Sequence, residues 1–337
     1  MATDHPLRNT DRLAQHRQLV SSPTFPMFSE LEANRPDGLE EVDCPMCPDA
    51  SKIPVYELEK KGRGKRTVVR CGQCNLLFVS PRIAREEITR TYSGRDYFER
   101  NQEQTGYRNY LQDRDLHLLF FRRQLAELEN FAAKGRLLDV GCAGGFLVEE
   151  ALRRGWQAEG VELSEYASEY ARSTLGLNVQ TGSLRHARFP NGQFDAVVMD
   201  DVIEHLENPL ADVREVWRIL KCGGVFFIHT PNAASPWRHL MGKHWIHLKP
   251  DEHLFYFTPG TITQLLEKAG FQVLSAKACS KATNANYIAG VIEKSCPIVA
   301  RCLKALFSRF EFWFRPIPFR GGGMQVCARK TSPPEAI

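Results

Sequence analysis

The sequence predicts an α/β protein built on a doubly wound, Rossmann-like sheet, with a small cysteine-stapled ribbon ahead of it. Three observations carry that expectation. Apolar runs and amphipathic runs alternate from about residue 136 to 276, as in a parallel sheet covered on both faces. The run Arg136-Leu-Leu-Asp139-Val-Gly141-Cys-Ala143-Gly144-Gly145 joins a buried strand to a helix through a glycine-rich turn. Two Cys-x-x-Cys pairs, Cys44/Cys47 and Cys71/Cys74, lie upstream with twenty-three residues between them.

Length and composition set the outer bounds. The 337 residues, 43% hydrophobic, suffice for one large domain and a small one, and a net charge of +4 is too slight to imply nucleic-acid binding by itself. Ten cysteines, four paired closely and six scattered, do not resemble a secreted disulfide framework and point to a reducing cytoplasm. Met1–Val20 has no apolar signal core, and no run reaches the length of a membrane span.

Five segments follow in order. Residues 1–40 are polar and proline-bearing and read as a loose tail, with a short helix near Arg12–Val20. In residues 41–80 the two cysteine knuckles suit a closed tetrahedral zinc site, Cys44, Cys47, Cys71 and Cys74, with strands between them. Lys60, Lys61, Arg63, Lys65 and Arg66 crowd the ribbon hairpin. They read as a solvated tip or, less simply, as a phosphate contact. Residues 81–133 have helical spacing over Ile83–Tyr92 and Tyr110–Phe131, with Tyr92, Tyr97, Phe98, Tyr107 and Tyr110 clustered around them.

Residues 134–276 form the core. Strands are expected near 136–140, 157–161, 178–180, 194–199, 223–229 and 271–276, and helices near 145–154, 164–175, 209–219 and 258–269. Glycines admit a tight turn and close ligand approach, and the new helix offers free N–H groups. Glu162 ends the second strand twenty-one residues after Gly141, where a carboxylate can accept both hydroxyls of a ribose. A nucleoside site at two neighbouring strand tips is therefore expected.

Residues 277–337 hold ten Lys or Arg up to Lys330 against Glu293 and Glu311. Ile298, Val299, Cys302, Leu303, Leu306, Phe307, Phe310 and Phe314 recur at helical spacing. Packing on the domain is the preferred reading of this helix, over peripheral contact with the inner face of an anionic membrane.

The Asp139-x-Gly141-x-Ala143-x-Gly145 run, with Phe194–Leu206 and Leu220–Ile228, resembles the class I S-adenosylmethionine (SAM) methyltransferases over about Lys134–Leu274. The resemblance implies that Asp139, Gly141, Gly144 and Gly145 face the methionine part of SAM and Glu162 the ribose. Leu163 would flank the adenine, Ser183 stand where an acid often meets the adenine amino group, and Asp200 lie beside the cofactor. It also implies that the closing Gly322–Arg329 run is an antiparallel edge strand.

Asp201, Glu204 and His205 would share one helical face by their i, i+3, i+4 spacing, and His253 follows the fifth strand on the same side. The pattern is similar to ubiquinone-pathway O-methyltransferases and small-RNA 3′-end methyltransferases, whose matching residues hold magnesium or a similar ion. His205 thus has three open roles: general base, metal ligand, or pocket-shaping cap, with Glu204 and His253 beside it. His244 and His247 read as pocket wall, and Thr230-Pro231-Asn232 as lining for the acceptor. The layout as a whole resembles bacterial zinc-ribbon methyltransferases of cell-surface sugar and natural-product pathways. SAM-dependent transfer to a hydroxyl of a small-molecule, sugar or lipid-linked acceptor is the expected function. The alternatives are an RNA methyltransferase that uses the ribbon, or a non-catalytic SAM-binding or zinc-scaffold protein.

Overall fold

The computed structural model describes residues 39–60, 64–84, 114–283, 297–310 and 317–331, together with positions 289 and 293. The tail, most of residues 81–113 with their tyrosine cluster, and Lys61 and Arg63 lie outside the described residues. The described residues all fall within one compact unit.

Seven strands form the main sheet: β6 (Arg136–Val140), β7 (Gln157–Glu162), β8 (Val179–Thr181), β9 (Phe194–Asp200), β10 (Leu220–Pro231), β12 (Phe271–Thr283) and β13 (Ile317–Lys330). Their order is β12-β13-β10-β9-β6-β7-β8. Only β13 runs against the rest, pairing antiparallel with both β10 and β12. The expected direction of the last strand holds, but its place does not. It inserts second from the edge, and β12 takes the edge, because β12 extends to Thr283 and offers β13 a second ladder from Phe271 to Thr283.

Alternation along each strand explains the two-sided core. Leu138 and Val140 of β6, with Phe226 and Ile228 of β10, face one cluster; Leu137, Val225 and Phe227 face the other. Helix α1 (Arg114–Leu128) buries Leu118, Phe121, Leu125 and Leu128 on the second face, beside α2 (Phe146–Arg153). Each fully buried side chain of this kind contributes about 1.5–3 kcal/mol. Helix starts are set locally. Ser164 caps α3 (Glu165–Ser173), and Asn208 with Pro209 starts α4 (Pro209–Ile219). Ser235 caps α5 (Pro236–Met241), and Thr258 and Thr261 form a reciprocal capping box on α6 (Pro259–Lys268).

The cysteine segment contributes β2 (Lys52–Lys60), β3 (Gly64–Cys71) and β4 (Leu77–Val79), after a two-residue β1 (Leu39–Glu40) that pairs with β5 (Arg82–Ile83). A fourth strand, β11 (Phe255–Tyr256), joins this sheet from the far side of the chain and pairs with β4. Phe78 and Leu76 pack in the same core as Leu254, Phe257 and Ile262. Helix α7 (Pro297–Phe307) departs from the packed expectation: Ala300 is its buried residue, while Ile298 and Leu306 are 73% and 64% exposed. No described helix is long and apolar enough to cross a membrane.

Candidate active site

The turn after β6 is held open by backbone geometry. Gly141, Ala143 and Gly145 all have positive φ, at 73°, 47° and 82°. A Cβ on Gly141 would come within 2.6 Å of Val202 Cγ2, so the glycine serves close packing as well as the turn. Ala143 tolerates a left-handed conformation at some cost. Glu162, at the tip of β7, accepts the Ala143 N–H at Oε2 and the Ser164 N–H at Oε1, both at 2.8 Å. Each carboxylate oxygen keeps a lone pair, so the site suits hydroxyl donors. Burial raises the Glu162 pKa, against the pull of those N–H groups. Asp139, buried in β6, is pushed well up by burial first and then by Asp200 and Glu162. Three acidic side chains at neighbouring strand tips, Asp139, Glu162 and Asp200, suit a ligand that carries positive charge, as SAM does on its sulfonium and amino groups. Gly144 is buried within the turn, and Leu163 is exposed next to Glu162. Ser183 Oγ is engaged with His186 Nδ1 at 2.6 Å.

Asp200 ends β9 and takes a 2.6 Å hydrogen bond from Gln124 Nε2, which ties α1 to the tip of β9. Asp201 does not begin a helix. Its φ is +52°, its N–H bonds the His229 carbonyl at 2.9 Å, and only a single 3-10 turn, Ile203–His205, follows. The expected common face of residues 201, 204 and 205 is therefore broken, and Asp201 turns to His229 instead. His229 Nδ1 lies 2.9 Å from Asp201 Oδ1 and 3.0 Å from Asp200 Oδ1, in line with neither. Burial opposes charge on this ring, yet Asp201, with Cys279 and Asp200 behind it, raises its pKa well above the ordinary value. Sequence reasoning passed over His229 and Gln124. The available signal for His229 was a titratable residue directly after the apolar run Val225–Ile228; its register with Asp200 comes from the strand pairing.

Glu204, His205 and His253 do come together. One ligand atom from each lies within 4.8 Å of the others. Glu204 Oε2 accepts the Thr230 hydroxyl at 3.0 Å, and His205 Nδ1 donates to the Glu252 carbonyl at 2.8 Å, which leaves Nε2 as the acceptor nitrogen. The rings of His205 and His253 meet edge to face at 4.8 Å, and His247 stacks on His253 at 6.2 Å. His244 is exposed. Among the described residues, Glu204 Oε1 and His253 Nδ1 are buried without a hydrogen-bond partner. Burial keeps both imidazoles neutral, lowering His205 and carrying His253 well down. Burial, with Asp201 nearby, raises Glu204 to about 8. Two neutral imidazoles and a carboxylate with orphaned atoms fit a divalent ion, which would satisfy them all.

The four thiols Cys44, Cys47, Cys71 and Cys74 also lie within 4.8 Å of one another, with Cys44 and Cys74 Sγ 3.5 Å apart. A tetrahedral zinc with ordinary bond lengths sets sulfurs ~3.8 Å apart, so the four fit that ion. Burial pushes the Cys44 thiol up to about 11, the reverse of what a zinc ligand needs unless the ion is bound. In the hairpin, Lys65 pairs with Glu57 at 2.7 Å and stays exposed, as at a solvated tip, whereas Arg66 is buried against Asp251 and departs from that expectation.

Comparison with known proteins adds a family. The profile of the methyltransferase domain matches residues 107–276. A ubiquinone biosynthesis O-methyltransferase of Azoarcus sp. (strain BH72) is 30% identical over 176 residues, which cover 45% of this chain and 76% of that protein. The protein of the same description from Xanthomonas oryzae pv. oryzae (strain PXO99A) is 36% identical over 106 residues, 30% of this chain and 44% of that protein. A solved SAM-dependent methyltransferase from Thermotoga maritima aligns with 69% of this chain and 98% of its own, at a TM-score of 0.46 and 19% identity.

Proposed function

Because the chain belongs to the methyltransferase domain family, and is a class I SAM-dependent methyltransferase, we propose that it methylates a hydroxyl of a small organic acceptor held at Glu204, His205 and His253. The supporting observation is the trio itself, two of its members buried, with Glu204 Oε1 and His253 Nδ1 orphaned beside the carboxylate-lined strand tips. The curated relatives act, by their descriptions, as O-methyltransferases.

Bound in the crevice, SAM would supply an electrophilic methyl group, and a divalent ion held by Glu204, His205 and His253 would supply a Lewis acid that makes the acceptor hydroxyl more acidic. The residues do the rest. Glu162 holds the ribose hydroxyls, and Asp139 with the turn at Gly141–Gly145 sets the methionine end. Glu204, His205 and His253 orient the acceptor oxygen for in-line attack. His205, with Nδ1 donating to the Glu252 carbonyl, presents Nε2 as its ligand nitrogen to the ion. With Asp201 turned away, the donor set is two nitrogens and one oxygen, which favours manganese, iron or zinc over magnesium.

A lipid-linked acceptor is favoured by a second observation. Leu240 is 79% exposed on α5, which follows β10, and α7 with Ile298 and Leu306 lies between the end of β12 and the start of β13. Both excursions leave the sheet at the edge where the parallel strands end, and Arg301 and Arg309 accompany the apolar residues.

The test is transfer of labelled methyl from SAM to a panel of phenolic, sugar, amine and thiol acceptors, run with wild type and His253→Ala. Label on hydroxyl oxygens, lost in the variant, is expected. Label on amines or carbon, or equal turnover by the variant, overturns the proposal.

A further inference from the structure

The cysteine ribbon is joined to the loop that carries His253 at three points. Strand β11 pairs with β4, setting Phe255 against Phe78 and Tyr256 against Leu77. The Leu254 peptide bridges both parts: its carbonyl accepts Val79 N–H at 2.9 Å, and its own N–H donates to the Glu204 carbonyl at 2.8 Å. Arg66, on β3, sends Nε to Asp251 Oδ1 at 2.9 Å, two residues before His253. That pair is buried, with side-chain exposures of 3% and 12%. The knuckles are anchored too, since Lys268 of α6 bonds the Met46 carbonyl at 2.6 Å.

A buried ion pair is a poor source of stability, because desolvating both charges offsets most of their attraction. It is a good source of position, because a fork-shaped guanidinium accepts few geometries. Here the guanidinium sits on the strand that ends in Cys71, and its partner sits on the loop that ends in His253. We infer that Arg66 is a positioning residue, and that the four-cysteine ribbon acts through it and β11 as a splint that holds His253 against Glu204 and His205. This role presupposes the divalent-ion site proposed above. It gives the ribbon a purpose within the methyltransferase that needs neither nucleic acid nor a protein partner.

The test uses Mn²⁺ alone, titrated into the full-length protein with its thiolate site loaded with zinc, and followed by electron paramagnetic resonance. Wild type, His253→Ala, Arg66→Met and Arg66→Lys are compared, with SAM affinity as the control for folding. Arg66→Met is expected to weaken Mn²⁺ binding about tenfold, in the range seen when groups behind metal ligands are removed. SAM affinity should be unchanged, Arg66→Lys should recover part of the loss, and the Leu254 amide should exchange faster with solvent. His253-dependent Mn²⁺ binding that ignores Arg66 overturns the splint and leaves the ion site standing. Mn²⁺ binding that ignores His253 overturns the ion site, and the splint with it. Should Arg66→Met fail to fold, Asp251→Asn keeps a hydrogen-bond acceptor without the charge. A several-fold weaker Mn²⁺ affinity supports the splint, and wild-type affinity overturns it.

Discussion

Replacing Glu162 with Gln tests the cofactor geometry most directly. The wild-type carboxylate accepts N–H groups from Ala143 and Ser164 and has lone pairs left for two ribose hydroxyls. A glutamine offers one oxygen and one amide donor. One backbone N–H then loses its acceptor, and one ribose hydroxyl meets a donor rather than an anion. Hydrogen bonds to a charged group are worth ~1.5–3 kcal/mol and neutral ones about 1 kcal/mol. The net loss of SAM affinity is therefore about 2 kcal/mol, or roughly 30-fold at 1.4 kcal/mol per decade. Thermal unfolding with and without SAM supplies the assay, with calorimetric titration as a check. At a SAM concentration of 100 times the wild-type Kd, ligand linkage stabilises the wild type by ~2.7 kcal/mol and the variant by only ~0.9 kcal/mol. The ligand-free proteins should differ less, since the variant also sheds a buried carboxylate whose pKa burial has raised. A Glu162→Gln protein with wild-type SAM affinity would refute the reasoning, because among the described residues no other carboxylate at the strand tips is braced by the glycine turn and the start of α3 at once.

Three further outcomes are expected. Cys74→Ser should lower bound zinc from one ion per chain to a small fraction, read by elemental analysis, and cost several kcal/mol of unfolding free energy; retention of zinc and stability would show the knuckles to be plain buried thiols. Glu204→Gln should change the pH profile of the chelator-treated protein. The folded pKa of Glu204 is raised from 4.5 to about 8, so its contribution to stability is complete below 4.5 and is lost as pH climbs through about 8. The variant should thus gain on the wild type over that window, while His205 and His253, whose lowered pKa values favour the folded state at higher pH, cancel in the comparison. Ile298→Asp with Leu306→Asp should abolish co-flotation with phosphatidylglycerol vesicles, and a wild type that never floats would dismiss the membrane contact.

The parts legible in the sequence are those fixed by neighbours a few residues away. Strand β6, the glycine turn and α2 follow from an apolar run, positive-φ glycines and an amphipathic run in direct succession. The bounds of α4 follow from Asn208 and Pro209 at its start. The cysteine knuckles follow from spacing alone, and their four sulfurs meet as that spacing predicts. The exchange of β12 and β13 at the sheet edge was not legible, because it depends on a ladder between segments separated by the whole α7 excursion.

The site shows the same division more sharply. Placing Asp201 with Glu204 and His205 assumed that the helix starts at the strand tip, whereas a single left-handed residue turns the chain there and delivers Asp201 to His229. That partnership lies across two parallel strands, in a register set by the sheet, so only the strand pairing reveals it. Arg66 makes the point at longer range. Read locally, it belongs to a run of hairpin cations with solvent as the expected neighbour. In the fold it meets Asp251, 185 residues away, and is 2% exposed. A buried arginine of this kind needs its anion present at all times, since an unpaired guanidinium there would cost several kcal/mol. The loop before His253 can therefore not drift from the ribbon without exposing or orphaning that charge. It follows that the ribbon and the His253 loop should loosen together, and that the cysteine site, although far along the chain from the chemistry, belongs to the structural basis of the active site.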